Sequence, residues 1–199
     1  MFGGNPIRAL PADYAEVRHV SLTEGRRLLW LNLLSLLPLV AALLVMAVWT
    51  VLVAPIRANV PPTDFELPWW LGVLLVLVIV LPLHELIHGI AITLTGHPAT
   101  YGMKLEKGVL YATSDGALFR RDEYLFVALA PLIGITLLCF GLSLASPEWL
   151  YGLLVMAVVL NAGGAVGDLW SVAVLLRYPR RALVRDEQDG FRVFDVTRA

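Results

Sequence analysis

Four long apolar stretches, separated by shorter polar ones, organise the chain. They run from Leu28 to Ala54, Trp69 to Gly96, Leu125 to Ala145 and Trp149 to Leu176. Each reaches the ~20 residues that a helix needs to cross a bilayer. Backbone groups in lipid must be paired within the segment, so each stretch predicts a transmembrane helix. Trp69, Trp70 and Trp149 stand at segment starts, where interfacial aromatics belong. Ser21-Leu22-Thr23-Glu24 reads as a capping box that starts the first helix ahead of the membrane, with Arg26 and Arg27 at the boundary. Pro38 and Pro82 lack the helical N–H and predict bends in the first and second helices.

The polar stretches predict less regular structure. Between the second and third helices, Thr100 to Leu105 and Val109 to Thr113 are β-like runs around Glu106-Lys107-Gly108. Ser114-Asp115-Gly116 is a turn signal before Ala117 to Arg120. A small hairpin or three-stranded sheet beside the membrane is expected there. Residues 1–27 hold no apolar h-region, so no cleaved leader is expected, and residues 177–199 read as a short polar tail. The predicted fold is an all-α polytopic membrane protein, 1–199 forming one membrane domain. It has four transmembrane helices, with a membrane-associated β-hairpin within the loop 97–124.

Composition supports this class. Of 199 residues, 58% are hydrophobic and 16% charged, whereas a soluble domain has about a quarter charged. Such a chain cannot coat a water-facing surface, and it is far too apolar for intrinsic disorder. The net charge of −1 gives no sign of a nucleic-acid partner. The placement of charge is more informative. Fourteen of the fifteen basic residues lie in the N-terminal stretch, the loop 97–124 and the tail, leaving only Arg57 for the other connections. The positive-inside rule then puts both termini and the middle loop in the cytoplasm, in the cell membrane by preference. Cys139 is the one cysteine, so no internal disulfide or cysteine-built zinc site is possible.

His84-Glu85-Leu86-Ile87-His88 is the motif that carries chemistry. Positions four apart share a helix face, so His84 and His88 can hold one metal ion. Glu85 is then placed to act as a base on a water that the metal activates. Ionisable groups inside a membrane segment are costly and functional by default, which strengthens the reading. A catalytic zinc takes three protein ligands and a water, so a third ligand is needed. Asp168 is the strongest candidate. It lies nine residues before Arg177, and His88 eight before Gly96 on a helix of the same direction, so their depths match. Glu106, Glu123 and His97 are the alternatives. The metzincin pattern fails, because Ala91 and Leu94 stand where its glycine and third histidine belong. Asn161, two turns before Asp168, could bond a substrate carbonyl or its oxyanion, or another helix.

On these residues the chain resembles the site-2 protease class of intramembrane zinc metalloproteases, and looks closest to a branch of zincin membrane peptidases. His84 to His88 match the first element. Arg121-Asp122-Glu123-Tyr124 leading into Ala128-Leu129-Ala130-Pro131 looks like the second, and Asn161 to Asp168 like the third. The third element departs from the family, with Gly163 and Gly164 where a proline is usual and Leu169 after the aspartate. The resemblance implies Zn²⁺ on His84, His88 and Asp168, catalysis by Glu85 and Asn161, and a membrane-protein or transmembrane-peptide substrate. An extended substrate could pair with the edge of the 100–113 strands. The rival readings are a non-catalytic zinc-binding scaffold and a proton- or metal-linked transporter. No internal repeat supports the transporter.

Overall fold

A computed structural model describes residues 6–21, 25–104, 109–187 and 190–196. The elements run in the order β1 (Tyr14–Ser21), α1 (Gly25–Leu34), α2 (Leu36–Arg57), α3 (Trp69–Leu94), β2 (Thr100–Lys104), β3 (Val109–Thr113), β4 (Leu118–Arg120), α4 (Arg121–Ser143), α5 (Glu148–Gly164), α6 (Val166–Leu175), β5 (Leu183–Glu187) and β6 (Gly190–Val196). The capping box expected at Ser21 to Glu24 and the turn at Glu106-Lys107-Gly108 lie outside the described residues.

Among the described residues, three helical stretches are long and apolar enough to cross a membrane, and the bent pair α5–α6 would make a fourth. The first stretch pauses at Ser35, between α1 and α2. Pro38 has no N–H for the Leu34 carbonyl, which leaves the ladder open at that point. There the Ser35 hydroxyl donates to the Asn32 carbonyl at 2.6 Å. Helix α3 remains helical through Pro82. The fourth stretch is not one helix. It breaks at Ala165, and α6 turns away from α5 by 47°. Gly163, Gly164 and Gly167 flank the break, and glycine costs roughly 1 kcal/mol against alanine in a helix interior.

The sheet content exceeds the single hairpin expected from sequence. β2 and β3 do form a two-stranded antiparallel hairpin, pairing Thr100 with Thr113 through to Lys104 with Val109. β4 instead joins a four-stranded antiparallel sheet in the order β1-β6-β5-β4. The N-terminal stretch, expected to be a cytoplasmic segment, and the tail, read above as a short polar extension, supply three of those strands. Their charges alternate with apolar positions that are buried on both faces. Val20, Val184, Phe191 and Val193 pack with Val174 and Leu175 of α6 on one face. Leu118, Leu183 and Phe194 lie on the other, covered by Ile7, Leu10 and Tyr14.

The chain divides into two compact units, each containing parts of the long helices. One comprises Met1–Leu31, Glu85–Ala130 and Gly167–Ala199, and holds both sheets and α6. The other comprises Asn32–His84 and Pro131–Val166, and holds α2 and α5. In this second unit Trp49 stacks on Phe140 at 4.3 Å and its Nε1 donates to the Ser143 hydroxyl at 2.9 Å. Arg57 donates to the carbonyls of Ser143 and Ser146 at 2.5 and 3.0 Å, the first an acceptor that the end of α4 leaves without a helical partner.

Candidate metal centre

Helix α3 carries His84, Glu85 and His88 on consecutive turns. The ring of each histidine is oriented from behind. His84 Nδ1 lies 2.9 Å from Asn161 Oδ1, and Asn161 Nδ2 donates to the Pro131 carbonyl at 3.3 Å. A carbonyl can only accept, so the amide nitrogen faces Pro131 and the oxygen faces the imidazole. A hydrogen therefore sits on His84 Nδ1, which in the neutral ring leaves the lone pair on Nε2.

His88 is held through the same ring nitrogen by a different partner. Its Nδ1 donates to the Val127 carbonyl at 3.0 Å. That carbonyl lacks its usual helical partner, because the residue four positions on is Pro131, which has no N–H. The proline in α4 thus supplies the acceptor that sets His88. His88 Nε2 lies 3.4 Å from Oδ2 of Asp168, in the first turn of α6. One ligand atom each from His84, His88 and Asp168 lie within 4.8 Å of one another. The structure therefore brings the three predicted ligands together.

Glu85 points to the hairpin. Its Oε2 accepts the N–H of Ala112 in β3 at 2.8 Å. Tyr101, the cross-strand partner of Ala112, lies over Gly89, one turn beyond Glu85 on α3. Its ring and hydroxyl occupy the space that a Cβ at position 89 would need, so glycine there lets the hairpin seat on the helix.

The other ligand candidates have different occupations. Glu123 is buried and caps α4, with Oε2 taking the Arg120 N–H at 2.8 Å and Oε1 the Arg120 guanidinium at 2.7 Å. His97 is buried against Phe119, its Nδ1 3.1 Å from the Thr95 hydroxyl. Glu106 lies outside the described residues.

A family model described as "Putative zincin peptidase" matches residues 77–183, more than half of the chain. The chain belongs to that family. No curated protein and no solved structure matches it. The matched segment contains the histidine pair, Glu85, Asn161 and Asp168.

The donor set fits the zinc that a zincin implies. Two imidazole nitrogens and a carboxylate make a three-ligand catalytic set. Ligands ~2.1 Å from a tetrahedral zinc stand ~3.4 Å apart. This is the spacing between His88 Nε2 and Asp168 Oδ2.

Asn161 and Val127 were not legible as ring-orienting partners. Asn161 is 2% exposed, and both ends of its amide are bonded inside the protein. The structure thus directs Asn161 to His84. Losing such an outer partner typically weakens metal binding 10- to 100-fold. Asn161→Ala is expected to weaken zinc binding by about tenfold or more on that basis, measured by competition with a chromogenic chelator. Unchanged affinity would remove this role.

Asp186 in β5 was also missed. It is buried and accepts hydrogen bonds from the Thr113 hydroxyl, the Ser114 N–H and the Tyr124 hydroxyl. Burial pushes its carboxyl above the usual range, while those three bonds pull it back down.

Proposed function

We propose that the protein is an intramembrane zinc endopeptidase of the site-2 protease kind, cutting peptide bonds in membrane-anchored substrates. The observation that carries this reading is the convergence of one ligand atom each from His84, His88 and Asp168, with the histidines flanking Glu85 on an apolar helix. Support for a membrane setting comes from the surface of that helix. Val78 and Leu94 are 64% and 63% exposed, a surface that suits lipid rather than water.

His84, His88 and Asp168 would hold the ion, which supplies Lewis-acid activation of a water and polarisation of the scissile carbonyl. Glu85 takes the proton of the attacking water and delivers it to the leaving amine. The Ala112 N–H donates to Oε2 of Glu85 and so orients its carboxylate. Asn161 and the Val127 carbonyl hold the two imidazole rings through their Nδ1 atoms. A helical substrate must unwind locally, since its carbonyls are otherwise engaged. The β3 edge that carries the Ala112 N–H lies against Glu85, so a segment extended along it is brought beside the base.

The test is cleavage of a single-span reporter by the purified protein in liposomes. Cleavage should stop with a chelator and return with zinc. Metal uptake into the liposomes without any cleavage would favour the transporter, and zinc binding without either would favour the scaffold.

A further inference from the structure

A single two-stranded hairpin is marginal in water, so β2–β3 needs anchors to hold a fixed position. One lies along α3, where Glu85 takes the Ala112 N–H and Tyr101 covers Gly89. The other lies at the open end of β3. Asp186 Oδ2 accepts the Thr113 hydroxyl at 2.5 Å and the Ser114 N–H at 3.1 Å. Its Oδ1 accepts the Tyr124 hydroxyl of α4 at 3.0 Å. Asp186 is 8% exposed, and a carboxylate buried to that degree requires such partners. It also lies beyond residue 183, where the family match ends.

The two anchors are one residue apart on β3. Thr113 is held by Asp186, and Ala112, immediately before it, is held by Glu85. Strand residues are spaced ~3.3 Å, and a hydrogen bond is lost beyond ~3.5 Å between heavy atoms. A small slip of the Thr113–Ser114 corner therefore removes the Ala112 N–H from Glu85. We propose that Asp186 is a positioning residue for Glu85. It fixes the end of β3 and through it the amide that orients the Glu85 carboxylate. The proposal rests on the reading of Glu85 as the base. It gives the C-terminal hairpin β5–β6 a role in the reaction although all of that hairpin after Leu183 lies outside the family-matched segment.

Asp186→Asn keeps the shape but replaces one acceptor oxygen by an NH₂ group. The measurement is amide hydrogen exchange by mass spectrometry on the zinc-loaded full chain in lipid nanodiscs, alongside steady-state cleavage. The peptide containing Ala112 should exchange about tenfold faster, the scale of one lost buried hydrogen bond. Protection in α3, β5 and β6 and the zinc content should be unchanged. Cleavage should lose about tenfold in kcat on the same scale, with KM little altered. Unchanged exchange at Ala112 would overturn the proposal. So would an equal loss of protection across β5 and β6, which would make Asp186 a general scaffold residue. If Asp186→Asn does not fold, Thr113→Val removes one of the two bonds to β3 and should act in the same direction, more weakly. A wild type that cleaves nothing removes the reading of Glu85, whereas the exchange data still report whether Asp186 anchors β3. The two failures are therefore read separately.

Discussion

Glu85→Gln is expected to reduce cleavage by ~10²–10⁴-fold, the usual contribution of a positioned general base. The substitution is close to isosteric. Its amide oxygen can still accept the Ala112 N–H, so the contact between α3 and β3 is retained. His84 and His88 keep their own partners, Asn161 and the Val127 carbonyl, neither of which involves Glu85. Zinc content should therefore stay at the wild-type level. Loss of turnover with metal retained assigns the proton transfer to Glu85. Cleavage at the wild-type rate would sink that role, and with it the reason to prefer a peptidase over a zinc-binding scaffold.

Asp168→Ala is expected to have the largest effect on the metal. It removes the sole carboxylate of the three-membered ligand group. Two imidazoles are too few for the three protein ligands of a catalytic zinc. Loss of an outer partner alone costs 10- to 100-fold in affinity, so loss of a ligand should exceed ~100-fold. The fold should survive. Asp168 is in the first turn of α6, where a carboxylate contributes only about 0.3–1 kcal/mol through the helix dipole. Zinc titration with circular dichroism as a folding control measures this. A well-folded variant that binds zinc as tightly as wild type would show that the third ligand lies elsewhere.

The helices and the motif were legible because their signals are local. A run of more than twenty apolar residues and two histidines four positions apart are both visible within one helix. Asp168 was singled out by helical depth, which depends only on rise per residue and chain direction. What helical depth missed was the break at Ala165, where the neighbouring glycines allow α6 to turn by 47°. The four-stranded sheet was hidden for a different reason. β1 pairs with β6, joining Tyr14 to Val196 across nearly the whole chain. In β5 and β6 the charges of Arg185, Asp186 and Arg192 interrupt the apolar pattern, so the tail read as solvated. Pro131 carried a signal that could have been used. A proline within a helix leaves the carbonyl four residues earlier without its partner, and Val127 is that residue. Which side chain would find that carbonyl depends on packing between helices, which sequence alone does not contain.

The most direct measurement is the zinc content of the purified full-length protein by mass spectrometry, after zinc is supplied and excess removed. The arrangement of His84, His88 and Asp168 predicts about one zinc per chain, the loading of a single catalytic site. A well-folded protein that retains no zinc would contradict the metal centre, and with it the peptidase reading.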